Sequence, residues 1–256
     1  MLNLMRSEWY KLLRNRSFWL LLAVLTVSAA AYVLLTYLDD PDDGGALTGA
    51  TGLDLLAAGM AGNNYIIKIG LCVLAGFYIS SEYATGTIKR AVASGHSRSK
   101  FIVAKLLVFI LGSMIVAVVF PTVIFILGSS LLGIGDLPAG MSTAGYVLKC
   151  LAMTLALTAG FAAVTGAIAT YLTDSGKTIG IAFVFYFFAD GLYLMAAKFA
   201  PFVRTLYEYS IFNLINNYAE QFMTNADFAR TIYIPVLVAV AFVGIGIAAF
   251  RRKEIK

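Results

Sequence analysis

The chain has 256 residues, of which 60% are apolar and only 13% charged, with a formal charge of +5. A soluble domain of ordinary composition carries about 45–50% apolar and about 25% charged residues, so too few charges remain here to solvate a surface, and disorder is excluded on the same ground. A polytopic, all-α integral membrane protein is the class that fits.

Residues 1–16 place Leu2, Met5, Trp9, Leu12 and Leu13 on one helical stripe, with Ser7, Lys11 and Arg14 opposite and Leu4 out of pattern. This predicts an amphipathic interfacial helix anchored by Trp9 and Trp19. Four charge-free runs follow along the chain, at 17–38, 106–135, 150–173 and 231–250. Each reaches the about 20 residues a membrane helix needs. Two further runs, 62–81 and 178–197, are as apolar but carry one charge each, Lys68 and Asp190. The sequence thus predicts six spans, near 17–38, 62–81, 106–130, 150–173, 178–197 and 231–250. Pro121 should kink the third, which is expected to end near Gly128 or Gly133. The first apolar run exceeds the about 7–15 residues of a signal-peptide core, so an uncleaved helix is expected. Cys72 and Cys150 lie in apolar runs without metal or redox spacing and are expected to be buried thiols. The lone histidine, His96, excludes a site needing two imidazole ligands.

Charge placement predicts orientation. Fourteen basic residues fall on one side of the six-span plan: Arg6, Lys11, Arg14 and Arg16 before the first span, Lys89, Arg90, Arg98, Lys100 and Lys105 after the second, Lys177 after the fourth, and Arg251, Arg252, Lys253 and Lys256 in the tail. Only Lys149, Lys198, Arg204 and Arg230 fall on the other, which also carries Asp39, Asp40, Asp42, Asp43 and Asp54. The positive-inside rule then puts both termini in the cytoplasm. The +5 is a topology signal, and no nucleic-acid partner is expected.

The loop at 82–100 is basic and punctuated by Gly86 and Gly95. Thr85 or Thr87 can cap a short helix, Gly95 can end it, and Ser97 can cap the helix that leads into the third span. A helix held between two spans can dock a soluble partner and pass its movement on. An ordinary solvated basic loop is the plainer alternative.

Here the residues resemble a known family. Ser7-Glu8-Trp9-Tyr10-Lys11-Leu12-Leu13-Arg14, then Glu82, Gly86-Thr87-Ile88-Lys89, Ser97-Arg98 and Lys105, are similar in order and placement to permease subunits of type-2 ABC exporters. The six-span plan and the size match too, so the resemblance covers 1–256 as a single permease domain. It implies that the loop is a coupling helix seated on a separate cytosolic ABC ATPase, with Glu82, Gly86, Thr87, Lys89, Arg90, Ser97, Arg98 and Lys105 in the coupling element. It implies a second, smaller cytoplasmic contact through Asp174 and Lys177, and an interfacial helix marked by Glu8, Trp9, Lys11 and Arg14. ATP and Mg would sit on the partner, with no cofactor on this chain and no metal site. A second permease copy or paralogue, a lipid bilayer and a bacterial cell membrane complete the expected setting. Export of an amphipathic peptide, antibiotic, drug or lipid is the implied activity; an ion-coupled secondary transporter or channel, or a non-transporting scaffold, is the alternative.

Other motifs are weaker. Gly176-Lys177-Thr178 resembles the end of a phosphate-binding loop, but Tyr171 stands where its first glycine belongs and a span precedes it. Gly133-Ile134-Gly135-Asp136 resembles an intramembrane aspartyl-protease signature without a second carboxylate. Residues 198–230 are too polar to span and too apolar for a free loop, which predicts re-entrant or interfacial outer helices that could gate an exit. Lys68 can snorkel to the outer headgroups or pair with Asp190, whose position within a span demands a partner or a place on the transport path.

Overall fold

The computed structural model describes residues 1–38, 49–93, 97–137, 142–218 and 225–252. Among them every regular element is helical. A short helix α1 (Leu2–Leu13) leads into the first span, α2 (Arg16–Leu38). The second span is α3 (Gly52–Ala75), continued through a wide turn at Gly76–Ser80 into α4 (Ser81–Ala84). A short α5 (Thr87–Ala93) then precedes α6 (Arg98–Leu132), α7 (Thr143–Tyr171) and α8 (Ser175–Phe199). Two short helices, α9 (Pro201–Glu208) and α10 (Ile211–Asn217), come before the last span, α11 (Asn225–Arg252). Six helices are long and apolar enough to cross a membrane. The chain is an integral membrane protein.

The spans lengthen the sequence-predicted ones, most of all the second. It begins at Gly52, ten residues before the predicted start, because Thr51 and Asp54 form a reciprocal capping box there. That shift puts Lys68 near the middle of the helix. The third span starts at Arg98 and runs through Pro121 to Leu132, with Gly133 ending it at φ +83°. The predicted cap residue Ser97 holds its position, but its side chain makes no capping bond.

Helices α3, α6 and α7 are the most buried spans, and α2, α8 and α11 keep mostly exposed faces. Leu71, Leu74, Ile102, Leu106, Phe109, Leu157 and Phe161 lie in the core they share. Both thiols are free and buried. Small residues on the spans serve contacts within the chain. Gly76 lies so close to Ile179 and Ser175 of α8 that a Cβ would collide with them. Ser80 bonds the Ala169 carbonyl at 3.2 Å and the Thr178 hydroxyl at 2.7 Å, and Gly166 meets Leu106 and Phe109.

Candidate functional site

Two charged junctions stand out. The first lies where α1 meets the ends of the second and third spans. On α1 the inward face is Leu4, Glu8, Lys11 and Leu12, at helical spacing, with Glu8 and Leu12 sealed. The predicted stripe was rotated: Leu2 and Leu13 face outward, and Leu4, read as out of pattern, packs on the core. Glu8 is 1% exposed, yet it is charged, because two lysines converge on it. Lys105 Nζ lies 2.7 Å from Glu8 Oε2 and 2.8 Å from Glu82 Oε2. Lys11 Nζ bonds Glu8 Oε1 and stands 3.2 Å from Glu82 Oε1.

Two carboxylates and two ammonium groups thus form a closed, charge-balanced set spanning α1, α4 and α6. The Tyr78 hydroxyl joins it, 3.1 Å from Glu8 Oε2 and 3.2 Å from the Glu8 carbonyl. Lys105 also lies 4.6 Å from the centre of the Tyr78 ring, whose face attracts a cation. Burial opposes charge on Glu8, but the charges and hydrogen bonds of Lys105 and Lys11 outweigh it and hold the carboxyl below its ordinary value. Burial likewise opposes charge on Lys11, and Glu8 and Glu82 together hold its ammonium above its ordinary value.

This geometry revises the expected coupling element. Lys105 is 0% exposed and lies inside α6, so it cannot touch a soluble partner. Glu82 is half-turned inward toward the same lysine. These two residues anchor the loop to the spans. The outward portion is the short α5, entered through Gly86 at φ +67°, a conformation that favours glycine. Arg90 is exposed there and donates to the Thr85 carbonyl at 3.2 Å, while Thr85 and Thr87 hydroxyls lie 3.0 Å apart. Ile88 seals the inner side. Lys89 lies on α5, and Ser97 and Arg98 open α6 on the exposed side. His96 and Gly95 lie outside the described residues, as do Asp39, Asp40, Asp42, Asp43, Lys253 and Lys256. Asp174 caps α8, accepting from the Lys177 backbone N–H at 2.8 Å. Trp9 packs partly on the core, and Arg14 is exposed over the Tyr10 ring.

The second junction lies mid-span. Lys68 of α3 does not snorkel; its Nζ bonds Asp190 Oδ2 of α8 at 2.8 Å. The cause is its central place on the longer α3, beyond easy reach of headgroups. Asn64 reaches Asn216 of α10 at 2.7 Å, Asn216 reaches the Tyr207 hydroxyl of α9 at 3.4 Å, and that hydroxyl lies 3.5 Å from Asp190 Oδ1. The Phe212 ring of α10 lies 5.8 Å from the Lys68 ammonium. A polar chain therefore ties both outer helices to two spans. Lys68 and Asp190 also line a cavity of about 330 Å³ walled by Tyr65, Phe183, Tyr186 and Phe187. Among the described residues no cluster of His, Cys, Asp and Glu is placed to hold a metal ion.

Sequence reasoning missed the union of Glu8 with Glu82 and Lys105. The signal was present: Glu8 is the one acid among residues 1–16 and lies four residues from both Leu4 and Leu12, on an apolar face. Tyr78, Asn216 and Tyr207 carried no comparable signal.

Six helices long and apolar enough to cross a membrane thus carry a short helix between the second and third, with an ion-paired root beneath it. The family described as "ABC-2 family transporter protein" matches residues 4–189. The chain belongs to that family, whose members are membrane components of ABC transporters. The match takes in α1 through most of α8 and ends one residue before Asp190. No curated protein matches the chain.

Proposed function

We propose that the chain is the permease of an ATP-driven exporter of amphipathic substrates, powered by a separate ATPase that docks on α5. The observation that carries this reading is the root of α5. Glu82 before it and Lys105 after it are joined to each other and to α1 by buried ion pairs, so a push on α5 is passed to three helices together. Both termini lie in the cytoplasm on this reading, Asp174 and Lys177 form the smaller contact, and ATP and Mg belong to the partner. Two permease copies complete the pore, because six spans leave α2, α8 and α11 largely uncovered. The cavity beside Lys68 and Asp190 suits a substrate with an apolar body and a polar end. The polar chain through Asn216 and Tyr207 would hold α9 and α10 as an outer gate.

The test is purification of the tagged full chain in mild detergent, with identification of what accompanies it. An ATPase with a phosphate-binding loop is the expected companion. Lys89→Ala together with Arg90→Ala should abolish ATP-dependent transport in vesicles while the folded yield stays at the wild-type level. Transport driven by an ion gradient without any ATPase would overturn the reading in favour of the secondary transporter, for which the mid-span pair would be the coupling site.

A further inference from the structure

The outward face of α1 is unusual. Its apolar residues Leu2 and Leu13 are 76% and 40% exposed, and with Met5 they form one wall of an open apolar groove. Val108 and Leu111 of α6 form the other wall. The groove holds about 400 Å³, and Arg6 stands on its lining. Tyr10 lies beside it, with the Arg14 guanidinium 4.6 Å above its ring. Arg6, Arg14 and Arg16 are all exposed, and among the described residues no carboxylate pairs with them. Glu8, the one acid on α1, is turned away and spent on Lys105 and Lys11. The helix therefore sorts its charges. Its acid is neutralised inside, and its arginines are left outside around an apolar slot.

From this we propose that the groove between α1 and α6 is a binding site for one anionic phospholipid. An acyl chain lies between Leu2, Met5 and Leu13 and the α6 wall, and the phosphate meets Arg6 and Arg14. Charge complementarity selects the occupant. A neutral detergent would fill the slot but leave the arginines without an anion, and a zwitterionic lipid brings its phosphate together with a cation that the arginines repel. Basic residues beside a membrane favour anionic lipid additively, and a guanidinium offers paired donors to phosphate oxygens. The site is independent of how transport is driven.

The test uses the full chain reconstituted in vesicles of equal parts phosphatidylcholine and phosphatidylglycerol. The vesicles are then dissolved in mild detergent, and the lipid retained on the protein is read by native mass spectrometry. Wild type should retain phosphatidylglycerol in preference. Arg6→Gln should reduce that preference about fivefold, and adding Arg14→Gln should reduce it again. Leu13→Ser should lower retention of both lipids and leave their ratio unchanged. Arg204→Gln, which removes an exposed arginine elsewhere, should change nothing. Retention in the ratio of the vesicle, or an unchanged preference in the double variant, would overturn the proposal. So would displacement of the lipid by excess soluble glycerol phosphate, which would assign the arginines to free phosphate and leave the groove without a role.

Discussion

The two charged junctions solve the same problem in opposite ways. Around Glu8, four charges from three helices meet, and the central pair is sealed: Lys105 is 0% and Glu8 1% exposed, while Lys11 at the edge is 33% exposed. Around Asp190, one cation faces one anion, and the Asp190 side chain remains 27% exposed toward a cavity. A sealed pair such as Glu8 and Lys105 has no substitute partner, since water does not reach it to replace a missing member. An open pair can be repaired by water. The first junction therefore ties its three helices rigidly, and the second can exchange its partners with water.

The sharpest way to break this comparison is Lys105→Met. It leaves Glu8 and Glu82 facing each other with only the half-exposed Lys11 between them. Breaking a buried pair by removing one partner costs about 3–5 kcal/mol. The variant should show a strongly lowered unfolding midpoint in detergent, and adding Glu8→Gln should recover part of the loss. A wild-type midpoint for Lys105→Met would show that the junction is not sealed.

Lys68→Met should cost less, about 2 kcal/mol, because Asp190 can take up water from the cavity. The double variant Lys68→Met with Asp190→Leu should return to within about 1 kcal/mol of wild type, since a pair can be exchanged for apolar groups of similar volume. Equal losses for Lys105→Met and Lys68→Met would erase the distinction between the two sites.

The smallest expected effect lies in pH. Glu8 ionises more readily folded than unfolded, so its contribution is full above its ordinary value of 4.5 and is lost as pH falls through the lower folded value. Lys11 has the opposite sign: its contribution is full below its ordinary value of 10.5 and is lost only at higher pH. Stability measured against pH should therefore fall on the acid side below 4.5, and Glu8→Gln should flatten that limb and, by removing a partner of Lys11, weaken the alkaline one as well. An unchanged acid limb would place its origin elsewhere.

Much of the fold was legible because a membrane reduces folding to a length and polarity test. A run such as 231–250 has one outcome, a helix that crosses. The helix ends were less legible. Asp54 hid the first ten residues of α3, because its carboxylate pairs with Thr51 in the capping box and so opens the helix instead of marking a loop. The site was half legible. Glu8, Glu82 and Lys105 were each marked by their order along the chain, but their meeting depends on how α1 folds back on α6, which local spacing does not encode. The face of α1 was misread for the same reason. The amphipathic stripe kept Leu2 and Leu13 outward, but the buried ion pair turned Lys11, placed on the polar side, toward Glu8 and Glu82.

The wide turn at Gly76–Ser80 explains how one helix serves both junctions. Its signature is the Ser81 N–H bonding the Gly76 carbonyl five residues back, which lodges one extra residue in the helix. In an unbroken α-helix, Lys68 and Glu82, fourteen residues apart, would point within about 40° of each other. The lodged residue resets the phase by about 100°, so the two side chains diverge by about 140°. The second span thus keeps two facings on one axle: Lys68 is aimed at α8, and Glu82 is aimed at α6 and α1.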